Sequence, residues 1–205
     1  MSPSTQTQKS FIIKRATQNH LASMCRLVNE ESKRSAATVA HQDENLDAWI
    51  FNWQSTQNIY PWLVALEAKS TLSHPKVLGY AKASAYNQRE GFQWTVVLSI
   101  YLHPESQGKS IGSALYRTLI RILVKQGYCV AYARITLPNP ASMALHDRFG
   151  FKQIGLLPHF AWKFNQWHDQ ALLVASFHTT LPNPPPALMS VDDILGQDPS
   201  LLDIG

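Results

Sequence analysis

Cysteine is scarce in this chain: Cys25 and Cys129 are the only two among 205 residues. Cys25 falls on the apolar stripe of a predicted helix and Cys129 inside a predicted strand. Both read as buried free thiols, which argues against a disulfide framework and against a catalytic pair. Long apolar runs are also missing, and none approaches the roughly 18 residues of a membrane span. Met1 to Ser10 is polar, with no apolar core behind a basic start, so a flexible tail is expected there and not a secretion signal. The expected compartment is the cytoplasm, with no membrane partner. Basic residues are absent from Leu181 to Gly205, which carries Asp192, Asp193, Asp198 and Asp203. Residues 1–180 therefore hold all 18 Lys and Arg against 10 acids, a net charge of +8. That excess attracts a polyanionic ligand at long range. The bases are scattered, with no basic run interleaved with aromatics, so nucleic acid is not the expected partner. The histidines lack metal-ligand spacing, so no metal site is expected.

What is present describes one soluble domain with a full core: 45% of residues are apolar and 16% charged. Phe11–Ala16 reads as a strand, and Thr17 as the cap of a helix carrying Leu21, Met24, Cys25 and Val28 on one face. After a polar passage from Glu30 to Asn45, Asp47–Trp53 suggests a second helix. Strands follow at Trp62–Leu66, Val77–Tyr86 and Phe92–Leu102, with a loose turn at 70–76. A long helix running to about Gln126 precedes a strand at Tyr128–Ile135. A short helix from about Ala141 to Phe149 stops at Gly150, and strands at Phe151–Leu157 and Ala171–Phe177 complete the domain. The divisions are residues 1–10 as tail, 11–180 as domain and 181–205 as a Pro-rich linker with an acidic tail. In that tail Ser190 caps one or two helical turns that dock on the body or a neighbour. The element order predicts an α/β fold. Its sheet is mixed and largely antiparallel, of about seven strands with flanking helices and one parallel crossover.

The crossover begins at Ser99–Gly112, where an apolar strand breaks at His103-Pro104, turns through a polar loop and opens the long helix. A loop of small residues at a helix N-terminus offers unpaired N–H groups and partial positive charge, a place that binds phosphate. Gly108-Lys109-Ser110 looks like the end of a Walker A loop. That motif needs a glycine five residues earlier, where the chain has His103 followed by Pro104.

Gln107-Gly108-Lys109-Ser110-Ile111-Gly112 resembles instead the acetyl-CoA loop of the GCN5-related N-acetyltransferase (GNAT) superfamily, with Ser110 in place of the usual glycine. Serine is expected there in helical φ/ψ at a first turn. From about Phe11 to Pro186 the chain is similar to the phosphinothricin and methionine sulfoximine N-acetyltransferase branch. The matching stretches are Tyr60-Pro61-Trp62-Leu63-Val64-Ala65, Trp94-Thr95, Ile100-Tyr101-Leu102-His103-Pro104, Gly112-Ser113-Ala114-Leu115-Tyr116, Leu137-Pro138-Asn139, Leu145-His146 with Gly150-Phe151, and Asn165-Gln166-Trp167-His168-Asp169.

The resemblance implies a GNAT fold and an enzyme that moves an acetyl group from acetyl-CoA to the primary amine of a small amino-acid-like acceptor, as a homodimer. Ile100, Tyr101 and Leu102 would hold the pantetheine arm, and Gln107, Gly108, Lys109, Ser110, Ile111, Gly112 and Ser113 the pyrophosphate. Asn139, Ser142 and His146 would contact the lower arm, with His146 also a proton donor to the leaving thiolate. Where the branch carries a glutamate base, this chain has Val97, which cannot take a proton. Strand alternation puts Thr95, Ser99 and Tyr101 beside it as a route for a water relay, while Glu30 and Glu31 are acids that could reach the acceptor from the opposite wall. Trp49, Trp53, Tyr86, Trp94, Phe160 and Trp162 flank the expected acceptor pocket, with Tyr86 and Trp94 as the candidate substrate contacts. The alternative reading is a non-catalytic acyl-CoA-binding module.

Overall fold

Seven strands form one sheet in the order β1-β2-β3-β4-β5-β7-β6 in a computed structural model that describes residues 10–68 and 75–203. The strands are β1 (Phe11–Arg15), β2 (Trp62–Glu67), β3 (Val77–Ala85), β4 (Thr95–Leu102), β5 (Val130–Thr136), β6 (Lys152–Lys163) and β7 (Gln166–Ser176). Every neighbouring pair is antiparallel except β4 and β5, which are parallel. The helices are α1 (Gln18–Arg34), α2 (Leu46–Thr56), α3 (Ile111–Gln126), α4 (Pro140–Arg148) and α5 (Val191–Gln197). The expected N-terminal tail, apart from Ser10, and most of the turn at 70–76 lie outside the described residues.

Each face of the sheet has its own core. Val96 and Leu98 of β4 point toward α3, where Leu115, Leu119, Ile122 and Leu123 are buried with them. Across the sheet, Leu21, Met24, Cys25 and Val28 of α1 pack with Trp49, Trp62 and Tyr80, as the 3.6-residue period requires. The ring of Trp49 meets Trp62 and Tyr80 edge-on, with centroids 5.8 and 5.7 Å apart. It is thus a core residue.

Four elements depart most from the sequence reading. α1 continues through Glu30 and Glu31 to Arg34, because Ser32 keeps the buried stripe going. β4 starts at Thr95 and not at Phe92, since Glu90–Phe92 form a 3-10 turn. Strands β6 and β7 are far longer than the runs at Phe151–Leu157 and Ala171–Phe177. They meet at Phe164-Asn165, whose φ values of 51° and 56° make the tight two-residue turn that suits twisted hairpins. A register shift between Leu157 and Ala161, with His159 at φ 51°, carries β6 past Pro158.

The acidic C-terminal segment closes one side of the α3 core. Ser190 Oγ caps α5 by accepting from Asp193 N–H at 3.0 Å. Val191, Ile194 and Leu201 are at most 3% exposed, and Ile194 and Leu201 share the core with α3. Gln126 donates from Nε2 to the carbonyls of Ile59 and Met189 at 3.0 and 2.9 Å, and Arg15 pairs with Asp192.

Candidate functional site

β4 and β5 pair only at Thr95–Val130, Val96–Ala131 and Val97–Tyr132. Beyond Val97 they part, and a cleft of about 520 Å³ opens between Leu98–Leu102 and Ala133–Thr136. Loop residues Gln107, Gly108 and Ser110, the first turn of α3 and one face of α4 close it, with Glu31 and Ala37 on the α1 side. A strand edge that has lost its partner carries free N–H and C=O groups, and an extended, amide-bearing arm can pair with them as an added strand.

The loop is built for an anion. Gly108 has φ 74°, and Ala114 is the first residue whose N–H reaches a helical carbonyl, that of Ser110 at 3.0 Å. The N–H groups of Ile111, Gly112 and Ser113 precede it at the positive end of the helix dipole, and the first turn contains no acid. Arg148 supplies a full charge beside them, donating to Ser113 Oγ at 2.9 Å. Sequence reasoning missed Arg148; its signal was a base three residues after Leu145 on a helix already assigned to the site.

Ser110 does not take the helical conformation expected of it. It caps α3 in the left-handed region, with φ 61° and ψ 2°, where a side chain costs about 1–2 kcal/mol. Ser110→Gly should therefore stabilise the fold by about 1 kcal/mol and raise Tm by about 2–4 °C. Thermal unfolding checks this.

Of the thirteen residues expected to hold the cofactor, all but Lys109 line the cleft. Asn139 caps α4 by accepting from Ser142 N–H at 3.1 Å, which presents both residues to the opening. His146 is 3% exposed, with both ring nitrogens engaged. Nδ1 lies 2.8 Å from the carbonyl of Ser142, an obligate acceptor, so that nitrogen carries the proton. Nε2 is then left to accept from the Tyr116 hydroxyl at 2.8 Å. Burial pushes the ring's pKa down, so it is neutral at pH 7. A neutral ring with no free N–H is poorly placed to protonate a thiolate, and its geometry is that of a residue holding α4 against Tyr116 of α3. The depressed pKa also has a stability consequence. As pH falls below about 6.5 the unfolded state binds the proton first, so stability is lost down to the folded pKa. The urea midpoint should drop between pH 7 and pH 5, and by less in His146→Asn.

The other candidates separate. Glu31 lines the cleft, accepting from Ser35 Oγ and pairing with Arg34. Glu30 points elsewhere, to His103 Nε2 at 3.9 Å, in a surface depression with Arg26 and Lys76. Adjacent residues on a helix differ by about 100°, so only one of the two could face the opening. Val97 shares its face with Ser84 and Tyr132 across the ladders. Of its proposed relay only Ser99 and Tyr101 reach the cleft, and burial pushes the Tyr101 hydroxyl up to about 12, so it stays a neutral phenol.

Tyr86 and Trp94 do not line the cleft. Tyr86 packs against Phe92 and Tyr132 with centroids 5.3 and 5.2 Å away. Trp94 lies in the turn just before β4 and donates from Nε1 to the Pro186 carbonyl at 2.7 Å. Phe160 and Trp162 are about half exposed on the β6–β7 hairpin. Cys25 and Cys129 are buried away from the cleft, and burial raises both thiols' pKa. Among the described residues no group of three or more His, Cys, Asp or Glu could hold a metal, and no helix is long and apolar enough to cross a membrane.

Known proteins share this fold. The family model for the acetyltransferase (GNAT) family matches residues 22–151. The phosphinothricin N-acetyltransferase of Streptomyces viridochromogenes is 31% identical over 89% of this chain and 95% of its own length. The L-methionine sulfoximine/L-methionine sulfone acetyltransferase of Pseudomonas aeruginosa is 36% identical over 66% of this chain and 75% of its own. A phosphinothricin acetyltransferase from Sinorhizobium meliloti, crystallised with acetyl-CoA, superposes with a TM-score of 0.76 at 30% identity, covering 82% of this chain and 89% of its own. These relatives are named as transferases, which leaves the non-catalytic reading without support. The chain belongs to the acetyltransferase (GNAT) family and is an acyltransferase.

Proposed function

We propose that this protein uses acetyl-CoA to acetylate the primary amine of a small amino-acid-like acceptor by direct attack. One observation carries the reading: the residues assigned to the cofactor from sequence, Lys109 excepted, converge on the cleft where β4 and β5 part. The names of the relatives, which act on phosphinothricin and methionine sulfoximine, support the acceptor class.

Acetyl-CoA supplies a thioester already activated toward amines, so the protein's work is to bind, orient and move a proton. The free edge of β4 suits the amides of the arm, and the first turn of α3 with Arg148 suits the phosphates. An amine is a nucleophile only once its ammonium has lost a proton. Glu31 is the carboxylate on the cleft wall that can take it, directly or through a water. The amide N–C bond then forms as the C–S bond breaks, and the second proton shed by the attacking nitrogen passes to the sulfur, which leaves as the thiol of CoA. Neither cysteine lines the cleft, so neither can serve as an acyl-carrying nucleophile there. Val97 in place of the branch's acid points to an acceptor other than phosphinothricin itself.

The test is thiol release from acetyl-CoA across a panel of amino acids, methionine sulfoximine, phosphinothricin and simple amines, with products identified by mass. Amine-dependent release with an N-acetylated product is expected. Release that is equal with and without every amine would overturn the reading.

A further inference from the structure

Lys163, the last residue of β6, is 4% exposed, yet among the described residues its ammonium meets two neutral oxygens and the Phe164 ring, whose centroid lies 5.2 Å from Nζ, and no carboxylate. Nζ donates to the Ser32 hydroxyl at 3.0 Å and to the Thr38 carbonyl at 2.7 Å. Burying a charge on neutral partners is costly, and a methionine would fill the same space without that cost. Stability alone therefore does not account for a lysine here.

Its two partners belong to a single connected stretch. The Ser32 hydroxyl donates onward to the Ala40 carbonyl at 2.9 Å. Ser35 Oγ donates to Glu31 and accepts from Ala37 N–H, the latter at 3.1 Å. His41 reaches the Trp162 carbonyl from Nε2 at 3.0 Å, a second tie to the same hairpin. Residues 31–41, the last turn of α1 and the strap that follows it, are thus tied to β6, and two of them, Glu31 and Ala37, line the cleft.

We propose that Lys163 is a positioning residue for the transfer reaction: by fastening Ser32 and Thr38 to the β6–β7 hairpin it fixes the strap, and with it the Glu31 carboxylate, against the acceptor. This rests on the reading of the cleft as a transferase site. Lys163 touches neither the β4 edge nor the phosphate loop, so its loss spares acetyl-CoA binding and acts on the acceptor.

Steady-state kinetics on the full chain, with titration of acetyl-CoA, tests this in Lys163→Met, Ser32→Ala and the double variant. Misplacing a catalytic group by about 1 Å can cost about a hundredfold. On that scale Lys163→Met should raise the acceptor KM about tenfold and lower kcat, while acetyl-CoA affinity stays within about twofold of wild type. Ser32→Ala should move the same parameters about threefold, and the double variant should be no worse than Lys163→Met, because both remove one interaction. A folded Lys163→Met with the wild-type acceptor KM, or additive single effects, would overturn the proposal. If Lys163→Met does not fold, Ser32→Ala decides by itself, and an unchanged acceptor KM overturns it. A wild type that acetylates no amine overturns the underlying reading, whereas an active wild type with indifferent variants removes only the role of Lys163.

Discussion

Glu31→Gln should lower kcat by about 10²–10⁴-fold, the range that a positioned general base contributes, while acetyl-CoA binds as tightly as before. The substitution keeps the shape of the side chain and its hydrogen bond with Ser35 but removes the acceptor of the amine's proton. Glu30→Gln is the matched control. It changes the neighbouring residue on the same helix, which faces His103 outside the cleft, so its kcat should stay within about twofold of wild type, as for surface changes away from a site. Turnover at saturating acceptor, measured by thiol release, compares the three proteins. A Glu31→Gln enzyme as fast as wild type would remove Glu31 from the reaction and return the search for a base to the β4 side, where Val97, Ser84 and Tyr132 offer no carboxylate.

Deleting residues 187–205 should abolish cooperative folding or lower Tm by more than about 10 °C. The segment lies outside the stretch that resembles the family, and its sequence left open whether its helical turns dock on the body or a neighbour. They dock on the body: Val191, Ile194 and Leu201 are fully buried, and each contributes about 1.5–3 kcal/mol of apolar burial. Their removal also exposes the α3 face and takes away the Met189 carbonyl on which the buried Gln126 amide depends. Domain stabilities run to about 5–15 kcal/mol, so these losses consume most of the reserve. Circular dichroism through thermal unfolding is the measurement, and a truncated chain melting within about 3 °C of the full one would refute the docking of α5.

Much of the fold is legible in the sequence because it is written locally. The apolar stripe of α1, the alternation in β4, the break at His103-Pro104 and the glycine after α4 each carry their own signal, and together they place the crossover and its loop. What the sequence hides is set by partners far along the chain. The hydrogen bond that occupies His146 Nε2 comes from Tyr116, thirty residues away, and the placement of residues 31–41 depends on Lys163 of β6. The choice between Glu30 and Glu31 turned on where α1 ends, and the polar run after Val28 blurred that boundary. The second half of β6, residues 158–163, escaped notice because Pro158 interrupts the strand and its outer face meets solvent, leaving no clean alternation to read. Ser110 was misjudged for a related reason: left-handed backbone is cheap to recognise at glycine and nearly invisible at serine.

Binding of acetyl-CoA in the cleft between β4 and β5 underlies the proposed transfer. Isothermal titration of the wild-type chain with acetyl-CoA asks this directly. The geometry predicts saturable binding of one molecule per chain, weakened by salt as phosphate contacts with Arg148 and the α3 N-terminus require. No binding at about millimolar acetyl-CoA, an affinity worth only about 4 kcal/mol, would contradict it.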